Sequence, residues 1–385
     1  MKRRNHNSAI ISLGSNQGNR LLFMQKALCL LEQETLTLEN CSSLYETPPW
    51  GFESLPFYNA VAVIKTSLSP LELLEELLKI ERQLGRIRAT ESTGYEARTI
   101  DLDLLLYNDV ILESPSLSLP HPRLHLRNFV LDPLVEVAPQ WVHPQFGKTM
   151  VQLRAESEDT ATGEQLPFEH WTPPIFDFFP YLAIEGNIGA GKTTLTQKIA
   201  MRFGVSEIHE LFSKNLHLVD FYENPDIHAL AVESFFLQDR AQQLSHFWKH
   251  HKGKAVADYS FDKSLIFASQ TLESSLFDSF QHTFTAAQKS IPTPDLILYL
   301  DTPVEQLHQQ IRRRGRSFEQ TIETSYLNAL EKKYKQWCSL PSEYPKVILS
   351  TKGIDFEANE ADFQYVLRAI FRIGVLRTHP TPPLQ

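Results

Sequence analysis

Residues 186 to 194 read Gly186-Asn187-Ile188-Gly189-Ala190-Gly191-Lys192-Thr193-Thr194. This is the pattern G-x-x-x-x-G-K-[ST], set between an apolar strand-like run from Tyr181 and a helix expected from Thr193 to about Phe203. Its glycines let successive backbone N–H groups curl round phosphate, and the helix N-terminus adds its positive dipole end. Lys192 would neutralise β/γ oxygens and Thr193 would ligate Mg²⁺. A phosphate loop alone does not separate a kinase from an ATPase or a GTPase. Further on, Ile311-Arg312-Arg313-Arg314-Gly315-Arg316 places four arginines within five positions, after the Asp301-Thr302-Pro303 turn. Arginines so crowded repel one another without a polyanion, which suits a lid over a transferring phosphate, although a solvated basic helix face has the same composition. Glu210 and Asp258 each follow an apolar run, at what would be the carboxyl ends of parallel strands, where open α/β sheets bind ligands.

A second constellation lies earlier. Thr99-Ile100-Asp101-Leu102-Asp103-Leu104-Leu105-Leu106 reads as a strand. Asp101 and Asp103, two apart, share one face, while Ile100, Leu102 and Leu104 pack on the other. Like charges so close are unfavourable without a cation, so the pair reads as an exposed Mg²⁺ platform bridging to nucleotide phosphates, against the bland alternative of a polar sheet edge. Arg86, Arg88 and Arg98, then His121, Arg123, His125 and Arg127, surround it in sequence. That density of donors in an acidic chain points to a triphosphate.

The elements that must position these groups follow from length and pattern. The chain has 385 residues, 42% of them hydrophobic, which fits two globular domains. Its 37 basic against 46 acidic residues leave a net charge of −9, so it is not built to wrap nucleic acid, and any phosphate site must be locally basic. Cys29, Cys41 and Cys338 are too few and too scattered for a disulfide framework or a C-x-x-C metal site, which points to a reducing compartment. No run approaches the ~18 apolar residues of a spanning helix, and no signal-peptide core follows Met1. The expectation is a soluble cytoplasmic protein without a membrane or nucleic-acid partner. Residues 154–178, with Glu156, Glu158, Asp159, Glu164, Glu169, Pro167, Pro173 and Pro174, show neither helical nor strand period and read as a linker between domains at 8–153 and 179–385.

Within the first domain, Ser8 to Leu13 reads as a strand. Ser69, Pro70 and Glu72 open a helix that Gly85 closes. Its leucines form an apolar stripe, with Glu72, Glu75, Glu76, Lys79 and Glu81 directed largely to water. In the second, short apolar runs at Tyr181–Glu185, Ala255–Tyr259, Asp295–Leu300 and Lys346–Ser350 have the rhythm of a parallel sheet covered on both faces.

The first domain resembles the 6-hydroxymethyl-7,8-dihydropterin pyrophosphokinases over roughly residues 8 to 153. The resemblance rests on Gly14-Ser15-Asn16, Tyr45-Glu46-Thr47-Pro48-Pro49-Trp50-Gly51, Phe57-Tyr58-Asn59-Ala60, Gly85-Arg86-Ile87-Arg88, Arg98-Thr99-Ile100-Asp101-Leu102-Asp103 and Pro120-His121-Pro122-Arg123, in family order. It implies a ferredoxin-like α/β sandwich and transfer of the β,γ-pyrophosphate of ATP to the pterin hydroxymethyl, releasing AMP in a step of folate synthesis. By the same resemblance Asp101 and Asp103 hold two Mg²⁺ ions, and Glu81, Arg86, Arg88, Arg98, His121 and Arg127 serve ATP. Asn59 and the stretch Thr47, Pro48 to Trp50 hydrogen-bond the pterin, and Phe57 and Phe129 sandwich its ring. Between Arg88 and Arg98 the Arg-Trp pair of some relatives is absent, leaving a polar lid in which Tyr95 is the candidate substitute.

From about Phe179 onward the chain resembles the deoxyribonucleoside kinases, a family of P-loop enzymes. The features are the phosphate loop, Glu210, Phe221-Tyr222-Glu223-Asn224-Pro225, Glu233 seven residues before Arg240, Asp258-Tyr259-Ser260 and the Arg314-Gly315-Arg316 lid. The resemblance makes Glu210 the general base for the sugar 5′-hydroxyl, has Tyr222 and Glu319 hold the 3′-hydroxyl, and has Glu233 with Arg240 read the base. Arg314 and Arg316 clamp phosphates, and Asp258 joins Thr193 on the Mg²⁺ side. A homodimer through this domain is also implied. Tyr259 stands where the family usually has Arg, so that phosphate-side cation is lost or supplied elsewhere, with Lys263 the candidate. Glu233 replaces the Gln of many relatives, and an ionised carboxylate only accepts hydrogen bonds. That favours bases offering N–H donors, hence purine deoxynucleosides.

The sequence thus predicts a bifunctional enzyme, each domain binding its own Mg²⁺-ATP. The competing readings are a second domain reduced to a nucleotide sensor or dimerisation module, or one that phosphorylates nucleoside monophosphates.

Overall fold

The computed structural model of the protein describes residues 7–51, 53–86, 97–316 and 319–378. The chain divides into two compact units, Met1–Pro173 with Phe371–Gln385, and Pro174–Ile370.

The first unit is built on a six-stranded sheet. Asp101–Tyr107, Asn7–Ser15, Phe57–Thr66 and Leu44–Thr47 lie side by side, Leu36–Cys41 also pairs with Phe57–Thr66, and every pairing is antiparallel. This agrees with the expected α/β sandwich. The helices Asn128–Val137 and Met150–Glu156 bury Val130, Leu131, Leu134, Met150 and Leu153 against Ile10, Val61, Leu105 and Leu106. Arg20–Leu30 packs on the strands Asn7–Ser15 and Phe57–Thr66, and Pro70–Gln83 on Asp101–Tyr107. The latter helix begins as its sequence dictates: Ser69 Oγ accepts the Glu72 backbone N–H, and the Glu72 carboxylate accepts the Ser69 backbone N–H in return.

Two expectations need correcting here. Residues 154–178 do not form a detached linker: Glu164–Leu166 adds a sixth strand alongside Leu44–Thr47. Trp171 is 3% exposed, its Nε1 donating to the Ser42 carbonyl at 2.8 Å. Cross-strand hydrogen bonds and one buried indole order a stretch whose own composition is too polar to fold. Glu81 does not face water either. It is 1% exposed and accepts the backbone N–H of Leu102 at 2.9 Å, tying the helix to the carboxylate-bearing strand.

The second unit has a five-stranded parallel sheet in the order Ser206–Ile208, Ala255–Ala257, Tyr181–Gly186, Leu296–Asp301, Lys346–Ser350. The first strand of the unit therefore lies at the centre, and every residue of it is buried. From it the chain passes to the edge strand Ser206–Ile208, returns to fill the gap with Ala255–Ala257, and then crosses to the other side for Leu296–Asp301 and Lys346–Ser350. That reversal opens the crevice at the carboxyl ends where the phosphate loop, Glu210 and Asp258 emerge. The arginine run does not follow the Asp301-Thr302-Pro303 turn directly. It closes the intervening helix Val304–Arg314, which Gly315 terminates at φ 73°.

Candidate active sites

In the first unit, Asp101 and Asp103 share a face of their strand, while Ile100, Leu102 and Leu104 are 0 to 3% exposed on the other. The carboxylates are half-buried, not freely exposed, because cations crowd them. Arg98 donates to Asp101 Oδ2 at 2.6 Å, and Arg86 bridges Asp101 Oδ1 to Glu81. Burial, and then the Asp101 charge, push the Asp103 carboxyl up to about 7, against the pull of Arg98. Two carboxylates in such tension suit a divalent cation, and Mg²⁺ is ordinarily held by one or two carboxylates plus substrate phosphates. Arg98 Nε is buried with no hydrogen-bond partner among the described residues, a donor placed for an anion.

Asp101, Asp103, Arg86 and Arg98 line a cavity of about 170 Å³ together with Ser12, Gly14, Thr47, Pro48, Trp50, Phe57, Asn59, His121, Arg123, Arg127 and Phe129, whereas Glu81, expected to serve ATP, is buried and not part of its lining. Asn59 is fixed by donating to Thr47 Oγ1 at 2.7 Å. Gly14 faces it across the sheet, where a Cβ would stand 3.1 Å from Asn59 Oδ1. The Arg127 guanidinium lies 4.7 Å from the Trp50 ring centroid and 5.5 Å from that of Phe129, within cation–π range. Burial and the charges of Arg127 and Arg123 hold His121 down near 4, so it stands as a neutral imidazole. Ser12 was not singled out from the sequence, its only signal being membership of the first strand; Gly14 entered there only through the Gly14-Ser15-Asn16 motif. Arg88 and Tyr95 lie outside the described residues.

In the second unit the phosphate loop folds as predicted. Gly189 and Gly191 take φ of 84° and 86°, and a Cβ on Gly189 would meet Ile311 Cγ1 at 2.8 Å. Lys192 Nζ donates to the Gly186 and Asn187 carbonyls at 2.8 and 2.9 Å. Burial and the neighbouring Lys263 bring it down to about 8. Asp258 accepts from Thr193 Oγ1 at 2.7 Å and from the Glu210 backbone at 2.9 Å, and pairs with His209 Nδ1 at 3.1 Å. A hydroxyl and a carboxylate in contact beside a phosphate loop are a donor set that fits Mg²⁺.

Glu210 sits between two cations. Arg240 donates to its Oε1 through Nε at 2.9 Å and Nη2 at 2.6 Å, and Lys263 Nζ donates to Oε2 at 2.7 Å. Burial would raise the Glu210 carboxyl, but Lys263 and Arg240 outweigh it and hold the group well below the carboxylate range. Arg240 is therefore committed to Glu210 and not to Glu233, contrary to the expected base-reading pair. Glu233, 2% exposed, accepts from Thr271 Oγ1 at 3.0 Å, and its Oε2 has no partner among the described residues. Burial pushes it up to about 7. Glu319 differs from expectation too: it takes both lid arginines, Arg314 and Arg316, the latter at 3.1 Å. A carboxylate is a natural counter-ion for two arginines so close together. The Tyr222 side chain lies outside the described residues.

Lys192, Thr193, Glu210, Glu233, Arg240, Asp258, Lys263, Arg314, Arg316 and Glu319 line one cavity of about 1040 Å³. Its apolar wall of Phe212, Phe221, Val232 and Phe236, and the loop from Lys352 to Glu357, were not anticipated. Gly353, at φ 75° just beyond the last strand, was the available signal for that loop. Tyr259 is fully buried and donates to Gln243 Oε1 at 2.6 Å, so it faces the core cluster and offers nothing to a phosphate.

Comparison with known proteins bears on both sites. Residues 10–139 match the family described as 7,8-dihydro-6-hydroxymethylpterin-pyrophosphokinase, and residues 182–374 match Deoxynucleoside kinase. The 2-amino-4-hydroxy-6-hydroxymethyldihydropteridine pyrophosphokinase of Synechocystis sp. is 41% identical over 160 residues, covering 41% of this chain and 80% of that protein. The deoxyguanosine kinase of Bacillus subtilis is 36% identical over 196 residues, covering 49% of this chain and 94% of that protein. The solved deoxyadenosine kinase from M. mycoides with bound dCTP aligns with a TM-score of 0.44 at 18% identity, over 50% of this chain and 98% of that one. The chain therefore belongs to two families, the hydroxymethyl-dihydropterin pyrophosphokinases through its first half and the deoxynucleoside kinases through its second.

Proposed function

We propose that both halves are working Mg²⁺-dependent enzymes, the chemistry of the first carried within residues 8–153 and that of the second within 179–385. One observation supports this reading most: each unit sets a dense phosphate-neutralising group of side chains and a substrate-sized pocket round its own cavity. In the first, Arg86, Arg98, Arg127 and neutral His121 take the triphosphate of ATP. Asp101 and Asp103 hold the metal, which supplies positive charge to the transferring pyrophosphoryl group. Asn59 and Thr47 orient the pterin between Phe57 and Phe129, so that its hydroxymethyl oxygen attacks with AMP as the leaving group.

In the second, the phosphate loop and Lys192 bind ATP, Thr193 and Asp258 hold the metal, and Arg314 and Arg316 exchange Glu319 for phosphate oxygens. Glu210 accepts the proton of the sugar 5′-hydroxyl. The acceptor is a purine deoxynucleoside. Supporting this are the unpartnered Glu233 Oε2 in the acceptor pocket, the Phe212, Phe221 and Phe236 side chains lining the cavity, and the similarity to a deoxyguanosine kinase. The assembly is a homodimer through the second unit, a reading carried by the family resemblance alone. Glu233→Gln tests the base assignment directly. An amide both donates and accepts, so the rank order of the four deoxynucleosides should shift away from guanine; an unchanged ranking removes Glu233 from base selection.

A further inference from the structure

The second unit's cavity holds a buried cation, Lys263, which the sequence offers only as a stand-in for the cation missing at Tyr259 and to which the proposed function gives no step. Lys263 opens the helix Lys263–Thr271, its side chain is 7% exposed, and its Nζ donates to Glu210 Oε2. The two cations on Glu210 are not equivalent. Arg240 is locked, with Nη1 donating to Ser264 Oγ at 2.8 Å and its guanidinium 4.8 Å from the Phe236 ring centroid. Lys263 is a point charge on a flexible four-carbon stem, able to turn its donors between partners.

Lys263 lines the same cavity as Lys192, Arg314 and Arg316, and its charge acts on Lys192. Glu185, Glu210 and Asp258 offset the repulsion of Lys192 by Lys263 only in part, so a further anion is favoured between them and the arrangement complements a phosphoryl group in transfer better than it complements the free protein. Glu210, meanwhile, has both oxygens occupied by cations and can accept a proton only if one contact is given up.

We propose that Lys263 is a catalytic residue of the second unit, its ammonium turning from Glu210 Oε2 to an equatorial oxygen of the transferring phosphoryl group. That movement places a cation where charge develops and frees Glu210 Oε2 for the 5′-hydroxyl proton. The O5′–P bond forms as the bond from phosphorus to the β,γ-bridging oxygen breaks. The electron pair of that bond leaves on ADP, and the proton passes to Glu210 and then to solvent.

The inference rests on the second unit acting as a deoxynucleoside kinase, so the unaltered full-length chain is assayed first; if it phosphorylates no deoxynucleoside, that reading fails and this one with it. Given activity, Lys263→Met should lower kcat about 100-fold or more, with both KM values within about threefold. Lys263→Arg should keep a substantial part of kcat, and added methylammonium should partly restore Lys263→Ala. A Lys263→Met enzyme with kcat near the unaltered value overturns the proposal. So does a loss confined to KM, or a Lys263→Ala chain with an unaltered melting profile that amines fail to rescue. Should Lys263→Met misfold, the arginine variant and the amine rescue still decide.

Discussion

Glu210 and Glu233 are buried carboxylates of one cavity that their neighbours drive in opposite directions. Burial raises both, but Lys263 and Arg240 reverse the sign at Glu210, whereas at Glu233 burial prevails and the group titrates near 7. A carboxyl whose pKa is raised on folding favours the folded state most below its unfolded value near 4.5, and that contribution is lost as pH rises through about 7. Glu233→Gln removes the titration. The variant should therefore be more stable than the unaltered chain at about pH 8 by up to about 3 kcal/mol, seen as a higher unfolding temperature, with the gap closing towards about pH 5. Thermal unfolding followed across that range checks it, and a gap independent of pH would show that Glu233 is not buried as a charge. That these carboxylates belong to one site was legible in the sequence. Their pairings were not: Arg240 lies seven positions from Glu233, on the same helix Pro225–His250, yet bonds to Glu210 across the fold. Periodicity likewise assigned Glu81 to solvent, because nothing local announces that the Leu102 N–H needs an acceptor.

At the scale of elements, the phosphate loop was readable because its chemistry is local: glycines at left-handed φ, a lysine and a helix start follow one another in the chain. Gly189→Ala should accordingly be severe. A methyl group there meets Ile311 Cγ1 at 2.8 Å and the Leu307 carbonyl at 3.0 Å, on a backbone at φ 84° that alanine tolerates poorly. Deoxynucleoside phosphorylation should drop at least about tenfold, with AMP formation from pterin unchanged; a near-normal ADP yield would mean the loop yields without penalty. The capped helix Pro70–Gln83 was readable for the same reason. Glu164–Leu166 was not, since a three-residue edge strand is specified by the strand it joins and by Trp171 beneath the sheet, not by its own alternation.

For the whole molecule, two families meet on one chain, residues 10–139 matching one and 182–374 the other. The residues proposed for pyrophosphoryl transfer lie before the Pro173–Pro174 division and those proposed for deoxynucleoside phosphorylation after it. Replacing Asp101 and Asp103 by Ala should abolish AMP formation and leave deoxynucleoside phosphorylation within about twofold, and Lys192→Ala should do the reverse. Loss of both activities in a folded double variant would contradict two independent sites.

The most direct test of the account is chromatographic product analysis of the purified full-length chain with Mg²⁺-ATP, given hydroxymethyl-dihydropterin in one reaction and each deoxynucleoside in others. Two product sets are predicted: AMP with pterin pyrophosphate, and ADP with a deoxynucleoside monophosphate, purines leading. AMP alone, from a protein whose second unit is folded, would contradict it and leave the larger cavity a nucleotide-binding site without turnover.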